Sequence, residues 1–133
     1  MNSKERVKNV LSGLKSDRIP IGFTSIDSEI VSQILGRSTY WRNKAKCKIA
    51  FWEGRRDEVV QSWIEDGIEL YQKLDLIDII PVWGIASGVC PPKTYEFLAP
   101  RQIDDSTWVD HYGSVYRYSP ITNDIEIIEG SNV

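Results

Sequence analysis

The sequence predicts an α/β fold, and two observations carry that prediction. An amphipathic stretch at 57–74 runs directly into the β-branched run Leu76-Ile77-Asp78-Ile79-Ile80-Pro81-Val82, the succession of an αβ unit. Farther along, two segments rich in β-formers flank His111-Tyr112-Gly113, as in a hairpin.

A first helix is expected over about 3–15. Asn2 caps it, Glu5 completes a capping box, and Val7, Val10, Leu11 and Leu14 form one apolar stripe with Lys4, Lys8 and Lys15 outside it. Gly13 weakens the last turn. In Asp17-Arg18-Ile19-Pro20-Ile21, the proline blocks helix and biases Ile19 to extended structure, so a short strand is read at 19–23. A second helix, 27–35, starts at Asp27 or Ser28 and stops at Gly36. Residues 37–43 form a loop carrying Tyr40 and Trp41. The third helix, 44–53, places Ala45, Ile49 and Trp52 on one side. The fourth, 56–74, has a seam of Val60, Trp63, Ile64, Gly67, Leu70, Tyr71 and Leu74. Strand 76–82 ends at its proline, and an irregular loop spans 84–92. Strands at 107–110, 114–118 and 124–128 complete the chain, which contains no internal repeat.

The 133 residues suit a single domain and are too few for a complete (β/α)8 barrel, which needs about 250. With 41% apolar and 26% charged residues, the composition argues against disorder. The apolar stretches are too short to span a membrane, and the opening residues lack a signal core, so a cytoplasmic protein is expected. Cys47 and Cys90 form no CxxC pair. With His111, the only histidine, they fall short of the four ligands of structural zinc, so no metal site is predicted. Residues 1–56 carry 12 Lys/Arg against 5 Asp/Glu, a charge of +7, whereas 57–133 carry 4 against 14, a charge of -10. Attraction between these halves, within the fold or across a dimer, explains the asymmetry without another molecule.

Chemistry-bearing candidates are few. His111 beside Asp110 has the residue types of a general base and its orienting acid, although neighbours on a strand face opposite ways and a structural turn histidine is the simpler reading. Cations and aromatics mingle over 37–48 as in single-strand binders, yet the chain is acidic and holds no nucleic-acid module, so no nucleic acid is expected. Glu65, Asp66 and Glu69 have the spacing to share a metal, but a solvated helix face accounts for them. Trp83 lies just past strand 76–82, where α/β folds place ligand sites. Trp83, His111, Asp110 and Arg18 are therefore the ligand-cleft candidates, and no catalytic residue is assigned.

The order of the pieces points to a family. The opening Ser3-Lys4-Glu5-Arg6-Val7, then Asp17-Arg18-Ile19-Pro20-Ile21, resembles the start of the uroporphyrinogen decarboxylase family, which includes cobalamin-dependent methyltransferases. Val109-Asp110-His111-Tyr112-Gly113-Ser114-Val115-Tyr116 is similar to the aspartate–aromatic–glycine hairpin of the methyltransferase-like branch. The resemblance implies the N-terminal part of a (β/α)8-barrel-type fold, with a helical N-terminal extension and a β-hairpin insertion. It implies a lyase or methyltransferase, with the corrinoid or one-carbon methyltransferase type favoured, whose catalytic half is missing. The arginine-rich loop of the decarboxylases is replaced by Gly22-Phe23-Thr24-Ser25, and Trp83-Gly84-Ile85 stands where their aspartate would be. No cofactor is expected within this chain; zinc or a corrinoid belongs to a full-length relative. The partners implied are the missing C-terminal half or a second copy. A stand-alone interaction or dimerisation module derived from the family is the alternative.

Overall fold

The computed structural model describes residues 1–80 and 90–130. The chain divides into two compact units, Met1–Trp41 with Ser62–Cys90 and Arg42–Gln61 with Pro91–Val133. Helix α4, Arg56–Leu74, contributes residues to both.

In the first unit, α1 spans Ser3–Leu11 and α2 spans Ser28–Leu35. Asn2 Oδ1 accepts from the Glu5 N–H at 2.9 Å while Glu5 Oε2 accepts from the Asn2 N–H at 3.1 Å, a complete capping box. The helix stops four residues short of the sequence expectation, because the chain turns through Ser12 and Gly13 and leaves Leu14 exposed. The core is Val31, Leu35, Trp41 and Leu70, with Ile26, Ile34, Tyr71 and Leu74 packed around it. Trp41 meets the Tyr71 ring edge-on at 6.2 Å and donates its indole N–H to the Ile26 carbonyl at 3.2 Å.

The strands expected at 19–23 and 76–82 reduce, among the described residues, to one parallel bridge between Gly22 and Ile79. The Ile21 carbonyl accepts from the Asp78 N–H at 2.7 Å and from the Ile79 N–H at 3.1 Å. A Cβ on Gly22 would lie 3.0 Å from both the Ile79 Cβ and its carbonyl oxygen, so tight that Ile79 would have to shift by a few tenths of an ångström. Gly22→Ala is therefore expected to pry this pair apart and to destabilise the protein by about 1–3 kcal/mol, read as a lower denaturant midpoint.

The second unit contains α3, Lys44–Trp52, and four strands: β1 Arg101–Asp104, β2 Thr107–Val109, β3 Val115–Ser119 and β4 Asp124–Glu129. They form one sheet in the order β1-β2-β3-β4, each pair antiparallel. The register sets Gln102 opposite Trp108 and Trp108 opposite Tyr116. Period-two alternation adds Tyr118, with Ile125 opposite it, to the same face. Onto that face α3 lays Ala45, Ile49 and Trp52, the stripe legible in the sequence, to form a core with Trp108, Ile125 and Tyr116.

This architecture overturns the expected barrel portion. A (β/α)8 barrel alternates parallel strands with helices, and a parallel crossover needs a dozen or more residues. Here the strands follow one another through turns at 105–106, 110–114 and 120–123, each too short for a crossover helix. The sheet is an open antiparallel meander, and the described residues form four helices besides it in the chain, not a repeating strand–helix alternation.

The opposed charges of the two halves pair within each unit. Arg6 and Arg18 bind Asp78, Arg37 binds Asp66 and Glu69, and Lys44 and Lys48 bind Asp124.

Candidate functional site

The second unit holds a half-open cleft of about 430 Å³ between α3 and the sheet. Helix α3 is tethered to the sheet near its N-terminus and packs its apolar stripe on the sheet face. At the tethered end, the Asn123 carbonyl accepts from the Ala45 N–H at 3.2 Å, and Lys48 Nζ donates to Asp124 Oδ1 at 2.8 Å and to the Ile125 carbonyl at 2.5 Å. At the other end Trp52 packs against the sheet residues Trp108 and Tyr116. Its ring lies 5.8 Å from that of Trp108 and 6.2 Å from that of Tyr116. The walls are Trp52, Trp108 and Tyr118, with Ala45, Ile49, Ala99 and Pro100 as aliphatic surface and Glu53, Gln102 and Asp105 as polar groups.

Of the residues singled out in the sequence, Asp110 and His111 share a smaller hollow of about 200 Å³ with Trp52, Leu98, Pro100, Tyr112 and Tyr116. Asp110 is the organiser of the β2–β3 turn. It accepts from the N–H groups of Tyr112 and Ser114, both at 2.9 Å, and from the Tyr116 hydroxyl at 3.0 Å. Burial works against its charge, but these donors prevail and hold its carboxyl below the ordinary range. Burial, with help from the Asp110 charge, pushes the Tyr116 phenol up. His111 is exposed at the turn, its ring 3.8 Å from that of Tyr112. Gly113 closes the turn at φ +86°, a conformation that favours glycine. Arg18 belongs to the first unit, where its guanidinium is tied to Asp78 at 2.5 Å and to the Leu76 carbonyl at 3.1 Å. Trp83 lies outside the described residues.

Sequence reasoning found Trp52 as part of a helical stripe but missed Trp108, Tyr118, Gln102 and Asp105 as its partners. The available signal was the alternation of Tyr116 and Tyr118 along β3. It becomes useful only once the register with β2 is known.

No protein-family model, curated protein or solved structure matches this chain.

Among the described residues, no set of donors for the zinc of a full-length relative is gathered. Cys47 is buried in α3 of the second unit, Cys90 belongs to the first, and His111 sits at a hairpin turn. Among the described residues no three His, Cys, Asp or Glu side chains gather as a metal site requires. The carboxylates Glu65, Asp66 and Glu69 do not form a shared site either. Asp66 is buried under Thr39, Ser62 and Arg37, and Glu69 is held by Arg37 and Lys73. No helix among the described residues is long and apolar enough to cross a membrane.

A second concavity lies on the first unit, an open groove lined by Val7, Leu11, Ile79 and Ile80 with Lys4 and Lys8 along its rim. Leu11 is 83% exposed there.

Proposed function

We propose that this chain works by binding and not by chemistry of its own, as a docking part of a cytoplasmic, uroporphyrinogen decarboxylase-like protein of the methyltransferase type. The state of its carboxylates carries the first half of this reading. Asp66, Asp78, Asp110 and Asp124 are each held by hydrogen bonds or ion pairs, and the carboxyl of each lies below its ordinary range despite the opposing effect of burial. A general acid or base needs a pKa near the working pH, whereas these groups remain ionised anchors throughout the neutral range. The kinship rests on the sequence resemblance alone. Arg6, Asp17 and Arg18, from its two opening pieces, gather with Asp78 into one ion cluster.

Calorimetric titration with zinc ion and with methylcobalamin tests the reading, and only heats of dilution are expected. Stoichiometric binding of either at micromolar concentration would contradict it, since the chain would then carry the reacting centre itself.

Self-association is a second reading, favoured by the open apolar groove beside the Leu76–Ile80 edge. Sedimentation velocity is expected to show association rising with concentration, and Leu11→Lys with Ile79→Lys should shift the protein to monomer. A single monomer boundary for the unaltered protein at all concentrations rules out this second reading.

A further inference from the structure

We infer that the cleft of the second unit receives an alkylated ammonium group, such as that of choline or of a trimethyllysine side chain. The inference rests on reading the chain as a binding module, and it names the ligand class of that cleft. The rings of Trp52 and Trp108 stand 5.8 Å apart with their planes at 51°, so they form two adjoining walls of a corner and not a closed stack. The third wall is Tyr118, whose hydroxyl donates to Asn123 Oδ1 at 3.3 Å and so holds the ring. Trp108 is only 8% exposed, fixed by the core before any ligand arrives. An aromatic face carries negative potential and attracts a cation without needing a hydrogen bond.

The charges in the lining select the same sign of ligand. Glu53 and Asp105 line the cleft together with Gln102, and among the described residues no Lys or Arg does. Arg55 already neutralises Glu53 at 2.5 Å, but no cation of the described residues pairs with Asp105. An incoming cation therefore meets three aromatic side chains and, in Asp105, a carboxylate without a counter-ion among the described residues, whereas an anion meets repulsion. Alkylation decides which cation fits. A bare ammonium is strongly hydrated and needs several acceptors, which this mostly apolar lining does not supply. Methyl groups remove those donors, spread the charge and match the aliphatic surface from α3. The volume of about 430 Å³ takes such a headgroup with part of the chain that carries it.

The test is calorimetry on the full chain with choline, with its neutral isostere 3,3-dimethylbutan-1-ol, and with a peptide bearing trimethyllysine beside its unmodified counterpart. Choline is expected to bind about tenfold more tightly than the isostere. Asp105 lies in an exposed turn, so Asp105→Asn should leave the melting temperature unchanged. It should weaken choline binding by about threefold or more and leave isostere binding as it was. A methylated peptide that outbinds choline assigns the site to a protein side chain, and the converse assigns it to a free small molecule. Equal affinity for choline and the isostere would overturn the ammonium assignment while leaving a binding cleft. Failure of every probe to bind would remove the cleft reading as well.

Discussion

Replacing Asp78 with alanine is expected to lower the thermal midpoint by about 10 °C or more and to loosen α1 first. The Asp78 side chain is fully shut off from solvent. It accepts from Arg6 and Arg18 guanidinium nitrogens, each at 2.5 Å, and from the Ile21 N–H at 3.0 Å. One carboxylate thus ties α1, the 17–22 segment and the Gly22–Ile79 bridge together. Its removal leaves the buried Arg6 guanidinium with Asp17 and the Met1 carbonyl as remaining partners, and leaves the Ile21 N–H without its acceptor. A buried charge stripped of its partner is among the most destabilising lesions known in proteins. Asp78→Asn keeps the shape and one acceptor, so it should cause a smaller loss. Thermal melting followed by circular dichroism measures the midpoint, and hydrogen exchange at the α1 amides locates the loosening. An unchanged midpoint in Asp78→Ala would refute the role assigned to this cluster.

The local signals of the fold were legible, and the long-range ones were not. Asn2 with Glu5 marks the start of α1 because both partners lie within one helical turn. The stripe of Ala45, Ile49 and Trp52 names the buried side of α3 for the same reason. By contrast, Leu76-Ile77-Asp78-Ile79-Ile80 reads as a buried strand, yet Ile79 and Ile80 remain 48% and 40% exposed. β-Branched residues favour a strand only where neighbouring strands exist to pack against them, and here the described neighbour is a single bridge. Strand β1 is silent in the sequence for the opposite reason. Arg101-Gln102-Ile103-Asp104 has all four residues exposed and shows no apolar alternation, so its backbone pairing with β2 is the only thing that makes it a strand. The cleft was half legible. Trp52 stood out in the helix, but its ring partners required the β2–β3 register. In the sequence Asp66 reads as part of a solvated helix face, because nothing near it announces the hydrogen bond from Thr39.

Asp66→Ala is the second large effect, expected to destabilise the protein by about 3–5 kcal/mol. Asp66 is only 4% exposed, and its two oxygens are shared among three donors. Arg37 Nη2 donates to Oδ1 at 2.7 Å, while Thr39 Oγ1 at 2.5 Å and Ser62 Oγ at 2.7 Å donate to Oδ2. Thr39 Oγ1 in turn accepts from the Trp41 N–H at 2.9 Å, so the carboxylate sets the backbone that delivers Trp41 into the core beside Val31 and Leu70. Burial alone would raise the Asp66 carboxyl, but the three donors prevail and hold it below the ordinary range. Glu69 is likewise lowered to about 2, by hydrogen bonds from Arg37 and Lys73. Carboxyls depressed in the folded state contribute stability that is fully present above their unfolded values near 4 and is lost as pH falls toward the folded ones. Denaturant midpoints should therefore be flat above about pH 5 and fall steeply between about pH 4.5 and 2. In Asp66→Ala the starting midpoint should be lower and the acid slope shallower, because one of the groups that must be protonated is gone. A variant with a lower midpoint but an unchanged acid slope would show that Asp66 supports Trp41 through shape and not through its charge.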